Sequence, residues 1–154
     1  MTRVKFITNY GEIIINLYKD MPITTGNFIE HVEKGTYNNI IFHRIIPDFM
    51  IQGGDPTGTG YGDPNISSIP DEFTHSSGNH NNKGTISMAN AGPNTGSTQF
   101  FLNLVDNNYL DQQHPVFGKV IKGLDIMDEI AKVKTDANDK PIKPVKLEKA
   151  EILQ

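Results

Sequence analysis

The segment Phe42-His43-Arg44-Ile45-Ile46-Pro47-Asp48-Phe49-Met50-Ile51-Gln52-Gly53-Gly54-Asp55 sets one permanently charged guanidinium among apolar neighbours. Residues 40–46 and 49–52 are rich in aromatic and β-branched types, so both read as strands. Successive side chains of a strand alternate in direction, so His43 and Arg44 point to opposite faces. With apolar residues on either side, one of the two has to enter a covered environment. Arg44 reads as the covered one. A buried cation without an obvious local carboxylate is costly unless something requires it. The competing reading is a surface strand arginine paired with Asp or Glu, an arrangement of little energetic value. Phe49, Met50 and Gln52 then supply an apolar surface with one polar handle. Such a surface suits gripping a peptide and offering it a hydrogen bond, with no nucleophile involved.

Working outward, residues 4–8 and 12–18 are apolar or β-branched runs around the turn residues Asn9-Tyr10-Gly11, which predicts a hairpin. Ile13, Ile15 and Leu17 alternate, so one face of the second strand is buried. Pro22 marks a helix start, Thr25, Phe28, Ile29 and Val32 recur at helical spacing, and Gly35 caps the end. After residue 52 comes a long Gly/Pro/Asn/Ser-rich loop over 53–83, of a length that is often functional. Strands are expected over 85–90, 99–104 and 116–121, and a second helix on Leu124, Met127, Ile130 and Ala131. The last strand, 145–153, alternates imperfectly, which predicts a bulge. About eight short strands and two helices result. Few connections are long enough for parallel crossovers. The expected fold is mainly β, a closed eight-stranded antiparallel barrel capped by two helices, with residues 1–154 as a single domain.

Composition narrows the function classes. The chain has 154 residues, a hydrophobic fraction of 36% and a charged fraction of 21%, which is globular rather than disordered. Net charge is −4 with no Lys/Arg block, so no nucleic-acid footprint is present. The absence of cysteine excludes disulfides, thiolate catalysis and cysteine-based metal sites. The opening Met1-Thr2-Arg3-Val4-Lys5-Phe6 lacks a long apolar run, and no segment reads as a membrane helix. A cytoplasmic protein is the expectation.

Several other segments invite functional readings and fail on chemistry. The Gly-rich run 53–62 lacks the Gly-Lys-Ser/Thr ending of a phosphate loop. His75 and His80, with Asp71 and Glu72, share a loop without metal-ligand spacing. Ser87, Ser97 and Thr98 sit in no nucleophile elbow. Phe49, Met50, Phe101 and Leu110 are, on composition alone, core residues. The amides Gln52, Asn90, Gln99 and Asn103 lie on or beside strands, where they bond one another, the backbone or a peptide. His114, before Pro115, reads equally as an idle loop histidine.

Taken together, residues 42–55, Met88-Ala89-Asn90-Ala91-Gly92-Pro93-Asn94, Gln99-Phe100-Phe101, Leu110-Asp111, His114 and Val116-Phe117-Gly118-Lys119-Val120 resemble the cyclophilins, which are peptidyl-prolyl cis-trans isomerases. The resemblance runs essentially end to end. It implies an eight-stranded antiparallel barrel with two helices and no cofactor or metal. It implies that Arg44 is the catalytic arginine, with Gln52, Phe101 and His114 beside it. It implies that Phe49, Met50, Phe101 and Leu110 wall a proline pocket, and that Ala89, Asn90 and Gln99 line the peptide groove. The implied partners are proline-containing peptides and unfolded protein segments, bound by a monomer. Tyr109 stands where many members carry tryptophan, a contact to cyclosporin, so weakened affinity for that macrocycle is expected. Gly96-Ser97-Thr98 replaces the family's Asn-Gly-Ser. A non-catalytic proline-peptide binding module is the alternative.

Overall fold

The computed structural model describes residues 2–153. Nine strands and two helices are present among them: β1 (Arg3–Thr8), β2 (Gly11–Leu17), α1 (Pro22–Lys34), β3 (Ile40–Ile41), β4 (Arg44–Ile46), β5 (Met50–Gly53), β6 (Thr85–Met88), β7 (Phe100–Asn103), β8 (Val116–Lys122), α2 (Leu124–Ile130) and β9 (Lys146–Leu153). A short 3₁₀ turn, Asn108–Leu110, precedes β8. All pairings are antiparallel, in the order β3-β9-β1-β2-β8-β6-β7-β5-β4.

The expected eight-stranded count is corrected here, because residues 40–46 do not form one strand. Phe42 and His43 leave the ladder, and the segment splits into β3 and β4. These two pieces are the opposite ends of the sheet. The barrel is a curled sheet whose ends are joined by two residues of chain, in place of a last row of hydrogen bonds. At this seam Phe42 N–H donates to the Val145 carbonyl at 2.9 Å, and Ile45 N–H donates to Asp139 at 2.9 Å.

Other expectations hold. Ile13, Ile15 and Leu17 are buried, and Glu148 is the extra residue of a bulge where β9 pairs with β1. Gly35 ends α1 in the left-handed region at φ 79°. The interior is an aromatic cluster of Phe6, Phe28, Tyr37, Phe42, Phe100 and Phe117, each at most 1% exposed. Phe28, carried by α1, lies 5.0 Å from Phe117 and 5.1 Å from Tyr37 between ring centroids. The helix therefore closes one end of the barrel by inserting an aromatic ring.

Met21 offers no side-chain cap to α1. Glu72, distant in sequence and buried, takes that place by accepting hydrogen bonds from Ile23 N–H at 3.1 Å and Thr24 N–H at 2.8 Å. It satisfies two orphan donors and sets a negative charge at the positive helix end. Replacing Glu72 with Ala should lower unfolding free energy by about 1–2 kcal/mol in urea denaturation. A change below about 0.3 kcal/mol would show the cap to be idle.

Candidate active site

Strand pairing places the site. Arg44 pairs with Gln52, Gln52 with Phe101, and Phe101 with Ser87, so these four form one row across β4, β5, β7 and β6. Directly paired residues share a face. The adjacent row, Ile45, Ile51, Leu102 and Ile86, faces the other way and is fully buried in the core. Ile46, Met50 and Asn103 make the next outward row. Met50 and Phe101 are only 2% and 4% exposed, yet both lie outside the core cluster. They are covered from the outer face, by the segments that carry Ala89, Leu110 and His114.

The result is a depression of about 220 Å³ lined by Arg44, Phe49, Met50, Gln52, Ala89, Asn90, Phe101, Leu110 and His114. His114 Nδ1 lies 2.9 Å from the Met88 carbonyl oxygen. A carbonyl only accepts, so Nδ1 carries the proton there and Nε2 is left to the depression. The imidazole meets Phe101 edge-on, with centroids 5.2 Å apart and planes at 82°. The Asn90 amide donates to the Gln113 carbonyl at 2.8 Å, which ties the two sides of the depression together.

Arg44 departs from expectation: it is exposed, and His43 is the covered neighbour. The alternation holds, but the guanidinium stands at the mouth of the depression instead of beneath a cover. Its ordering contact is a neutral amide, with Nη1 donating to Gln52 Oε1 at 3.4 Å. Gln52 Nε2 donates to Gln99 Oε1 at 3.0 Å, and Gln99 Nε2 donates to the Gly60 carbonyl at 2.9 Å. The Gly60 oxygen can only accept, so it fixes both amides and aims Gln52 Oε1 at the arginine. Burial pushes the His43 imidazole pKa down, against the upward pull of Asp55.

Over residues 3–152 the chain matches the family model described as cyclophilin type peptidyl-prolyl cis-trans isomerase. The chain belongs to the cyclophilin family. This cyclophilin is 46% identical over 152 residues to peptidyl-prolyl cis-trans isomerase ppi1 of Schizosaccharomyces pombe, covering 97% of this chain and 98% of that one. It is 42% identical over 156 residues to the peptidyl-prolyl cis-trans isomerase-like 1 of Aspergillus fumigatus, covering 99% and 96%. A crystal structure of a cyclophilin type isomerase of Cryptosporidium parvum, solved in the presence of the dipeptide Ala-Pro, superposes with a TM-score of 0.92 at 34% identity over 99% of both chains. The protein is a peptidyl-prolyl cis-trans isomerase.

Two of the eleven expected site residues stand outside the cyclophilin's main depression. Tyr109 is 71% exposed and stacks on Phe49, with centroids 6.2 Å apart, as an outer wall. Gln99 lines a neighbouring hollow of about 290 Å³, bounded also by Gly60, Asp63, Ser68, Thr95 and Ser97. The hollows share Gln52, Ala89 and Asn90. Apart from Gln52, Ala89, Asn90 and Gln99, its walls were missed in the sequence; the unusual length of the 53–83 loop was the available sign.

The Gly-rich loop is shaped by an anion of its own. Asp55 is fully buried, and its carboxylate accepts from Thr57 N–H and Oγ1 at 2.8 Å, Gly60 N–H at 2.7 Å and Gly62 N–H at 3.0 Å. Donors that a phosphate would need are thus taken. The other discarded candidates are likewise engaged. Ser87 Oγ donates to Asn81 Oδ1 at 2.6 Å, Asp71 accepts from Asn94 N–H at 3.1 Å, and His75 Nδ1 lies 2.8 Å from Asp20 Oδ1.

Behind the slot runs a buried amide network in which Asn103 bonds other side chains, as one sequence reading allowed, while Asn81 and Asn107 were missed. Asn107 Nδ2 donates to the Phe49 carbonyl at 2.9 Å and to Asn103 Oδ1 at 3.0 Å. Asn103 Nδ2 donates to Thr85 Oγ1 at 2.9 Å, and Asn81 Nδ2 reaches the His114 carbonyl at 3.3 Å. Asn81 and Asn103 are fully buried and Asn107 is 3% exposed, so every bond replaces lost water.

Removing the hub strands its partners. Asn103→Leu should cost about 2–4 kcal/mol in urea unfolding, because an unpaired buried polar group costs ~1–3 kcal/mol. A loss under about 0.5 kcal/mol would mean that the network repairs itself.

Asp55 yields a pH dependence. Desolvation pushes its pKa up, but the Thr57, Gly62 and Gly60 hydrogen bonds outweigh this and hold it below the ordinary value. The folded state therefore binds the Asp55 proton less readily than the unfolded chain. The resulting stability is present above the unfolded pKa of about 3.9 and is lost as pH falls through the lower folded value. Asp55→Asn should be less stable than wild type near neutrality, and the gap should narrow as pH drops below about 4 in chemical denaturation series.

Proposed function

We propose that this cyclophilin catalyses rotation about X–Pro bonds in flexible or unfolded protein segments, with Arg44 as the donor to the twisted amide. The observation that carries the reading is the single arginine placed at the mouth of a slot walled by Phe49, Met50, Phe101 and Leu110. An X–Pro bond resists rotation with a barrier near ~18–20 kcal/mol. No bond to carbon breaks, so no nucleophile, base or metal is required. The enzyme has only to favour the half-rotated amide over both planar forms.

Rotation removes resonance. The proline nitrogen regains a lone pair that can accept a hydrogen bond, and the carbonyl oxygen loses negative charge. A donor at the nitrogen stabilises the rotated state and ignores the planar one. Arg44 has the planar, always-charged fork for that role. Phe49, Met50, Phe101 and Leu110 hold the proline ring and favour the less dipolar rotated amide. His114 Nε2 and Gln52 face the peptide beside it. The side chain of Asn90 is engaged with Gln113, so this residue serves the peptide through its main chain. The exposed setting of Arg44 suits a donor that engages only when a substrate covers it, since the 3.4 Å bond to Gln52 is easily exchanged.

Magnitudes require a shared effect. A charge-assisted hydrogen bond contributes about 1.5–3 kcal/mol, whereas an acceleration of roughly 10⁵ needs about 7 kcal/mol. Holding the proline ring and excluding water supply the remainder.

Arg44→Ala should lower kcat/KM on a proline tetrapeptide roughly 10- to 100-fold in a protease-coupled assay, with peptide affinity by NMR titration changed less than about threefold. Arg44→Lys should restore only part of the loss. If affinity falls as far as turnover, Arg44 binds the ground state and is not the transition-state donor. If neither parameter moves, it has no part in the reaction.

A further inference from the structure

A separate cavity, of about 170 Å³, lies where β6 and β8 meet the loop that precedes β6, and shares no lining residue with the proline slot. Its walls include Tyr18, His75, His80, Lys83 and Lys119, and no carboxylate lines it. That lining runs against the chain as a whole, in which 18 acidic residues outnumber 14 basic ones. Among the described residues neither Lys83 nor Lys119 forms an ion pair. Lys119 is held in place by the pairing of β8 with β6, where it stands opposite Thr85.

The two histidines share a further property. Each presents Nδ1 to a carboxylate: His75 to Asp20 at 2.8 Å, and His80 to Asp111 at 3.7 Å. Only the His75 contact is short enough to be a hydrogen bond. The remaining nearby carboxylate, Asp106, accepts the Lys83 backbone N–H at 2.8 Å. Tyr18 stacks flat on His75 with centroids 3.8 Å apart. Burial, with the nearby Asp20 charge, raises its phenol pKa, so the hydroxyl keeps its proton and remains a donor.

We propose that this cavity binds a phosphate group, either free inorganic phosphate or the phosphorylated side chain of a client protein, independently of the proline slot. A phosphate dianion offers acceptor oxygens and no donor. Two ammonium groups, a phenol and the Ser77 hydroxyl are the complementary set. Steric capacity agrees, since a cavity of about 170 Å³ admits a phosphate group.

The test is an amide NMR titration at constant ionic strength with potassium phosphate, with a proline-free phosphoserine peptide and its unphosphorylated counterpart, and with chloride as the control. The proposal expects saturable shifts confined to residues 75–85 and 116–119, from phosphate or the phosphopeptide and from neither control. It expects roughly 100-fold weaker binding in the Lys83→Gln, Lys119→Gln double variant, since each charge-assisted bond is worth about tenfold or more. Isomerase turnover of the variant should equal wild type, which certifies its fold. Phosphate acting alone identifies the free ion as the ligand, and the phosphopeptide acting alone identifies a modified client. Non-saturating or scattered shifts, or equal affinity in the double variant, would mean an adventitious ion only and would overturn the site.

Discussion

The two-residue period of the strands is the constraint from which the rest of this molecule follows. In β7, Phe100 turns inward to the aromatic cluster and Phe101 turns outward to the slot. In β5, Ile51 faces the core while Met50 and Gln52 face the slot. Antiparallel pairing then aligns these outward residues into rows, so the register that packs the barrel also assembles the site. A slip of one residue would exchange core and site together. Stability and function thus rest on the same hydrogen-bond register.

The site divides into a stiff part and a loose part. Phe49 is held through its own carbonyl, which accepts from both Leu104 N–H and the Asn107 amide. The Leu110 and His114 side is held by Asn79 and Asn81, which bond the Asp111 and His114 carbonyls. Such fully paired buried networks define one arrangement of the walls around them. Arg44, by contrast, is exposed and is tied by one long hydrogen bond. A clamp that must grip one ring while part of its cargo turns benefits from that contrast.

Much of this was legible in the sequence, and the reasons are physical. Alternation exposed the hairpin and the burial of Ile13, Ile15 and Leu17, because period two survives any tertiary context that leaves a strand a strand. Gly35 declared the helix end, since a left-handed residue there favours glycine. The break at Phe42 and His43 was not legible, as both residues are good strand formers and leave the ladder only because the barrel closes there. Arg44 was misjudged for a related reason. Alternation shows that one of two neighbours is covered but not which, and the apolar segment around it suggested the wrong one. Asn81, Asn103 and Asn107 came from three separate segments, so no local pattern united them. Glu72 escaped likewise, as it caps a helix 48 residues away.

The seam of the barrel bears on how the protein treats its clients. Unfolded polypeptides are strand-seeking, and an open sheet margin would recruit them by main-chain pairing. Here the terminal strands are two and three residues long, are continuous with one another, and are flanked by Val145 and Asp139. An extended chain can rest across the outer face, but these terminal strands offer it only a short margin to join. In the proposed reaction the grip therefore comes from the hollow on the outer face, and release does not require peeling a strand from a sheet margin.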